Sequence, residues 1–441
     1  MLSNLLNIFK IGDLRNKLLF VVAMVVLYRL GVAIRVPGVD PIAIEQLQAS
    51  ADQAGALGFI NLFSGGAFES FSIFALGIIP YITASIIMQV LGVVIPKLEE
   101  LQQEGAVGQR KITQYTRYVT IGLSTLQATG LVFIFGTGQG QAFFTAGPPT
   151  NVPLLTGGIW PRGYLIIPTL VAGTAVLMWL GELISQRGIG NGMSMIIFAA
   201  VVASLPGGFL GILQLNKVFW FVAMVILTIG IIVAVVFVEL GQRRIPVQFA
   251  KRVVGRRMMG GQNTYIPLKV NQSGVIPIIF ASSILLLPVI FSNVLGGTSG
   301  EGWRASIQTF ISDYIVNSQN LVYVTLLAFM IIAFAYFYNS IAFDPVRQAD
   351  QLRKQGGFIP GIRPGPQTEK YLGKAVNRIT LPGAVFIAVI AIMPYLLLIA
   401  ADINSFGFAG TSVLISVGVA LELMRQIDSQ LTLRNYEGFL K

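Results

Sequence analysis

Residues 218–257 read VFWFVAMVILTIGIIVAVVFVELGQRRIPVQFAKRVVGRR: a long apolar run, then a segment, 243–257, with six cations and no acid. A helix needs about 20 mainly apolar residues to cross the hydrocarbon core of a bilayer, so residues 218–238 predict a membrane span. The cationic segment cannot follow it into lipid, where a charged side chain at mid-depth costs about 2.5–3.5 kcal/mol. It has to lie in water at one membrane face, either as a stop signal for topology or as a docking surface for something acidic.

Similar runs recur on both sides of this one, near 18–34, 73–95, 116–136, 163–181, 193–213, 273–295, 320–342, 379–400 and 408–424, which makes ten expected spans. A chain with 54% hydrophobic and 11% charged residues fits one polytopic membrane domain. Most cations fall in alternate connections: Lys10, Arg15 and Lys17; Lys97 to Arg117; Arg187; Arg243 to Lys269; Arg347 to Arg378; and Arg425, Arg434 and Lys441. The other connections hold only Arg35, Arg162, Lys217 and Arg304, so the positive-inside rule places both termini in the cytoplasm. Five spans per half force the halves to enter the membrane from opposite sides. The expected fold is therefore an all-α polytopic membrane protein of ten transmembrane helices in two inverted five-helix halves, 1–215 and 216–441, N-in and C-in. No side-chain repeat between the halves is read from the sequence; the division rests on topology.

Composition also limits the chemistry. The chain has no Cys and no His, which removes disulfides, thiolate and imidazole catalysis and the usual zinc ligands. No phosphate-binding G-x-x-x-x-G-K-[ST] motif occurs, and no catalytic residue, metal or cofactor is expected. A Ser–Lys or paired-Asp hydrolase would need Lys or Asp within spans that lack them. A coupled small-solute transporter, the alternative reading, would need ionisable groups at the midplane; apart from Arg29 in the first span, only Glu182, Glu239 and Glu422 lie near spans, all at the cytoplasmic ends. Arg29 is expected to bond a carbonyl or to reach toward the interface. The first nine residues lack the apolar core of a removable signal peptide.

Ile78, Ile82 and Ile86 recur every fourth residue in the second span, and Ile279 with Ser283 repeats the step in the seventh, so each set shares a helix face. Such a stripe by itself suits lipid or core. Pro80, Pro277 and Pro288 are expected to break or bend these spans, which would allow movable walls. Residues 61–70, Asn-Leu-Phe-Ser-Gly-Gly-Ala-Phe-Glu-Ser, are too short and polar to cross. They form either an external loop or a re-entrant segment buried in protein, with Gly65-Gly66 free to hinge. Two connections, 240–272 and 343–378, each carry seven cations, more than topology needs. Their Gly and Pro content suggests ordered hairpins that present charge to RNA phosphates or an acidic protein surface.

These residues together identify a resemblance to the SecY family of translocon channel subunits along nearly the whole chain. It is carried by Phe63-Ser64-Gly65-Gly66, Phe74 to Ile82, Gln114-Tyr115-Thr116-Arg117-Tyr118, Arg187 to Gly192, the 243–257 run, Gly274-Val275-Ile276-Pro277, Gly361 to Gly365 and Tyr436-Glu437-Gly438. The resemblance implies a protein-conducting channel that passes unfolded, signal-bearing polypeptides across the cytoplasmic membrane and releases transmembrane segments sideways into it. It implies a pore ring of Ile78, Ile82, Ile197, Ile279, Ser283 and Ile415, a plug near 60–70 that includes Asn61, Leu62, Phe63, Ser64, Gly65 and Gly66, and a lateral gate between the second and third spans and the seventh and eighth, with Thr83 and Gln127 as polar contacts. Docking would fall to Arg243, Arg244, Lys251, Arg252, Arg256, Arg257 and Arg363. The implied partners are the SecE and SecG subunits, the SecA ATPase, the ribosome, signal peptides and nascent polypeptides, membrane lipids, SecDF and YidC.

Overall fold

The structure is a computed structural model that describes residues 12–40, 63–136, 159–214, 218–249, 252–254, 257–259, 264–294, 310–311, 314, 320–401 and 410–438. In chain order the elements are α1 (Gly12–Ala33), α2 (Ile79–Val94), α3 (Pro96–Gln103), α4 (Ala106–Gly136), α5 (Ile159–Arg187), α6 (Gly192–Gln214), α7 (Val218–Leu240), β1 (Gln242–Phe249), β2 (Arg252–Val254), β3 (Arg257–Met259), β4 (Thr264–Lys269), α8 (Ile276–Val294), α9 (Leu321–Ala342), α10 (Pro345–Lys354), β5 (Gly357–Phe358), α11 (Pro366–Ala401) and α12 (Gly410–Gly438). Among the described residues helices dominate, and the strands lie in the two long basic connections.

Among the described residues, five helices are individually long and apolar enough to cross a membrane, and the α2–α3 pair makes a sixth if counted as one span across its 101° bend. That bend falls at Ile95, the residue before Pro96, where the proline ring disfavours helical backbone. The surface reverses the usual order of a soluble protein. In α7 only 17% of the most apolar stretch is buried, and Phe219, Ile226, Val233 and Phe237 face outward. A helix that is apolar all round needs apolar surroundings, and here lipid has to supply them.

Helix contacts follow one pattern twice. In the first five long helices, α1 touches α5 and α6, α2 touches α4, α4 touches α5, and α5 touches α6; in the second five, α7 touches α11 and α12, α8 touches α9, α9 touches α11, and α11 touches α12. Between the two sets, α8 meets α2 and α4 along one seam, while α6 meets α7 and α12 along another.

A side-chain repeat also exists, contrary to the reading of the sequence. Gly77-Ile78-Ile79-Pro80-Tyr81-Ile82-Thr83-Ala84-Ser85 aligns with Gly274-Val275-Ile276-Pro277-Ile278-Ile279-Phe280-Ala281-Ser282. Both glycines have positive φ, 57° and 60°, and the helices begin two residues later at Ile79 and Ile276. Pro80 and Pro277 therefore occupy the first helical turn, where a missing N–H costs nothing; they start these helices and do not bend them. Pro288 alone of the three lies inside its helix. The second span is correspondingly shorter than expected, because residues 65–78 form turns and helix begins only at Ile79.

Candidate functional site

Residues 63–78 lie inside the protein. Phe63, Ser64, Ala67, Phe68, Phe71, Ser72 and Phe74 are all buried, so their backbone polar groups need partners that a helix is not there to supply. Many are supplied by turns within the segment, as where Ala67 N–H donates to the Ser64 carbonyl and Ser72 N–H to the Ala67 carbonyl, and the rest come from α1 and the chain just after it. The Tyr28 hydroxyl donates to the Ser64 carbonyl at 2.8 Å, and Arg29 Nη1 donates to the Gly65 carbonyl at 2.9 Å. Farther along, Val36 N–H donates to the Phe71 carbonyl and Ile73 N–H to the Ile34 carbonyl, each at 3.0 Å. Arg29 thus bonds a carbonyl inside the bundle, one of the two fates its position in the first span allowed. Gly65 is required here. Its φ is +64°, and a β-carbon would sit 2.6 Å from the Tyr28 hydroxyl oxygen and 3.0 Å from Ala200 Cα. Asn61 and Leu62 lie outside the described residues.

Among the described residues, the main apolar core draws on nine helices, α1, α2, α5, α6, α7, α8, α9, α11 and α12. Ile78 immediately before α2, Ile82 in α2, Ile197 in α6, Ile279 in α8 and Ile415 in α12 are all buried members of it, and so are Phe63 and Ala67. Ser283, one turn beyond Ile279, is also buried. The isoleucines read from two separate stripes therefore join residues from α6 and α12 that no local periodicity links to them. The gate residues are less closely associated. Thr83 donates its hydroxyl to the Ile79 carbonyl of its own helix at 3.0 Å, and Gln127, half-buried on α4, forms no hydrogen bond with it. Their helices nevertheless both touch α8.

The basic connections fold as one unit. β1 pairs antiparallel with β4, from Gln242 against Lys269 to Val247 against Thr264, and with β5 through Gln248–Phe358 and Phe249–Gly357. The order β4-β1-β5 joins the 240–272 connection to the 343–378 connection. Ile245, Val247, Leu268 and Ile359 seal the sheet onto Leu372 and Ala375 of α11. Period-two alternation then turns the other face outward, where Arg244 lies 4.8 Å over the Tyr265 ring. Arg243, Arg244 and Arg363 are exposed. Arg252 and Arg257 belong to the separate β2–β3 hairpin, in which Val254 pairs with Arg257; Lys251 and Arg256 lie outside the described residues.

Two polar contacts were not anticipated. Arg117 on α4 makes a two-pronged ion pair with Glu182 on α5, at 2.7 and 2.5 Å. At the end of α7, Glu239 accepts from Asn271 Nδ2 at 2.6 Å, and its carbonyl accepts from Arg425 of α12 at 2.5 Å. Asn271 also donates to the Gly274 carbonyl at 3.2 Å, which ties the second glycine turn to α7 and α12. The signal was present in the sequence: each acid stands at a span end, where an unpaired carboxylate would be costly. Among the described residues there is no cluster of three or more His, Cys, Asp or Glu side chains able to hold a metal.

A sequence model of SecY matches residues 72–424. The chain belongs to the SecY family. Protein translocase subunit SecY of Streptomyces scabiei is 48% identical over the full length of both chains, and the same-named protein of Mycobacterium bovis is 47% identical, again over both complete chains. SecY architecture is also seen in a solved structure described as the structure of a protein conducting channel, with a TM-score of 0.60, 22% identity, and coverage of 93% of this chain and 91% of that one. A second, described by the role of the SecY plug domain in stabilising the closed channel and maintaining a membrane seal, matches to the same extent. The protein is accordingly a multi-pass membrane protein and a channel subunit, with neither an enzyme's nor a solute transporter's role.

Proposed function

We propose that a polypeptide crosses this protein between its two sets of five helices, through a constriction lined by Ile78, Ile82, Ile197, Ile279, Ser283 and Ile415, after residues 63–70 have moved aside. Translocation of proteins is the family's activity; the route is the reading offered here. Its main support is that these isoleucines, from α2, α6, α8 and α12, are all buried members of the core that also takes in Phe63 and Ala67. A narrow apolar ring excludes water and ions when empty, yet has no fixed polar groups to favour one passing sequence over another. Residues 63–70 suit a removable seal. They are held largely by hydrogen bonds to backbone carbonyls, and Gly65 and Gly66 leave the chain conformationally free.

The repeated contact pattern and the two matching glycine turns support division into halves near 215 with five spans each, and the cation-rich alternate connections support both termini in the cytoplasm. On that topology, the α2/α4–α8 seam is the lateral gate through which apolar segments reach lipid, with Thr83 and Gln127 near it. The β4-β1-β5 sheet, the β2–β3 hairpin and Arg363 form the cytoplasmic docking face for the ribosome or the SecA motor, while SecE and SecG complete the channel. Energy comes from those partners, since the chain has no nucleotide-binding motif.

A reversible clamp tests the seal. β-Carbons at Gly65 and Ala200 would lie 3.2 Å apart, close enough for a disulfide after a small shift, and the chain has no other cysteine. Oxidised Gly65→Cys/Ala200→Cys protein should stop translocating and recover on reduction to the level of the Gly65→Cys single variant, which carries the cost of a β-carbon at this crowded position. Transport that continues unchanged with the clamp closed would rule out displacement of this segment.

A further inference from the structure

Away from the channel, a cavity of about 550 Å³ opens between α9 and α11, lined by Tyr336, Gly373, Lys374, Asn377, Arg378 and Leu381. No acid lines it. Lys374 and Arg378 stand one turn apart on α11, both exposed, and neither forms an ion pair among the described residues. Nearby, Asn339 Nδ2 of α9 donates to Thr380 Oγ1 of α11 at 2.8 Å, which ties together the two helices that line the cavity.

The same face of α11 changes character immediately beyond the cations. Leu381 is 52% exposed and is followed at helical spacing by exposed Val385, Val389, Met393 and Leu396. Phe329 and Val322 are exposed on α9. At 1.5 Å per residue the α11 stripe runs about 22 Å, longer than one leaflet of a hydrocarbon core about 30 Å thick. A paired positive charge at the head of an apolar stripe matches an amphipathic anion. A soluble phosphate would use only the cations and gain nothing from the stripe.

We propose that this cavity binds an anionic phospholipid, with the phosphate held by Lys374 and Arg378, Tyr336 and Asn377 supplying further hydrogen-bond donors, and an acyl chain lying along Leu381, Val385 and Val389. Cations near an anionic membrane surface each add attraction, and two together should give roughly thirtyfold preference over a zwitterionic lipid. The lipid would brace the start of α11 just beyond the loop that carries Arg363.

The test places a fluorescent reporter on the stripe and leaves the head site intact. Full-length Leu381→Trp protein, with the subunits that co-purify with it, is reconstituted in phosphatidylcholine vesicles and quenched with brominated lipid; the four native tryptophans are subtracted using the unsubstituted protein. Brominated phosphatidylglycerol should quench the reporter at about one thirtieth the mole fraction that brominated phosphatidylcholine requires. Adding Lys374→Gln and Arg378→Gln should abolish the preference, while Lys374→Arg keeps it. Equal quenching by the two lipids, or a preference that survives the double Gln substitution, overturns the proposal. So does loss of quenching on adding inorganic phosphate, which would mark a soluble-anion site, or shielding of the reporter from both lipids, which would mark a protein partner on this face.

Discussion

Gly77 and Gly274 introduce their helices in the same way, with positive φ and a proline three residues on, but the chain leading into each is different. Before Gly77 lie buried turns tied by Tyr28 and Arg29 to α1. Before Gly274 lies a short link from β4, fastened by Asn271 and Glu239 to α7 and near α12. Space around the glycines differs as well. A β-carbon at Gly77 would stand 3.1 Å from Ser64 Cα, whereas one at Gly274 would meet nothing within 4 Å. One kind of helix start thus has two settings: the first follows a buried turn segment, proposed above as the seal, and the second follows the β-sheet proposed as the docking face.

The largest expected asymmetry comes from the glycines themselves. Gly274→Ala should cost only the left-handed backbone penalty of about 1–2 kcal/mol. Gly77→Ala adds overpacking against Ser64, about 1–3 kcal/mol more, and should raise resting ion conductance in planar bilayers. Equal conductance from the two variants would erase the distinction drawn here. Next in size is Arg29→Leu, which removes a charged donor from the Gly65 carbonyl, an interaction worth about 1.5–3 kcal/mol. It should increase leak without weakening partner binding. Arg425→Gln should do the reverse, at about 1 kcal/mol: partner affinity falls as the sheet loses its anchor, and resting conductance stays at the wild-type level. The smallest effect is expected for Arg244→Gln. The exposed contact with Tyr265 contributes only about 0.5–1 kcal/mol, so the melting temperature should scarcely move while binding of an acidic partner weakens in a salt-dependent way.

A mostly helical fold with several apolar helices of membrane length is legible in the sequence because hydropathy and length report directly on what lipid will accept; five such helices stand alone among the described residues, six with α2–α3. It misplaced the start of the second helix because Ile73, Phe74 and Leu76 are as apolar in turns as in a helix; Gly77 was the cue that the backbone changes there. Pro80 and Pro277 were read as kinks because their place relative to the helix start depends on the preceding glycines. The glycine–proline repeat is faint in the sequence because its two short copies stand 197 residues apart. Ile82 and Ile279 could be set on helix faces by periodicity. That they share a cluster with Ile197 and Ile415 is tertiary information, and in the sequence reading those residues entered only through the family resemblance. Pairing of β1 with β5 is likewise nonlocal, joining Phe249 to Gly357.

Site-directed cross-linking tests the central claim most directly, since the chain has no native cysteine to compete. Single cysteines at Ile82, Ile197, Ile279 and Ile415 are paired with a cysteine in a translocating polypeptide arrested midway, with exposed Phe237 on α7 as the lipid-facing control. All four ring positions should form disulfides with the arrested chain, and the control should form none. Cross-links at Phe237 without any at the ring would contradict passage through the isoleucine cluster.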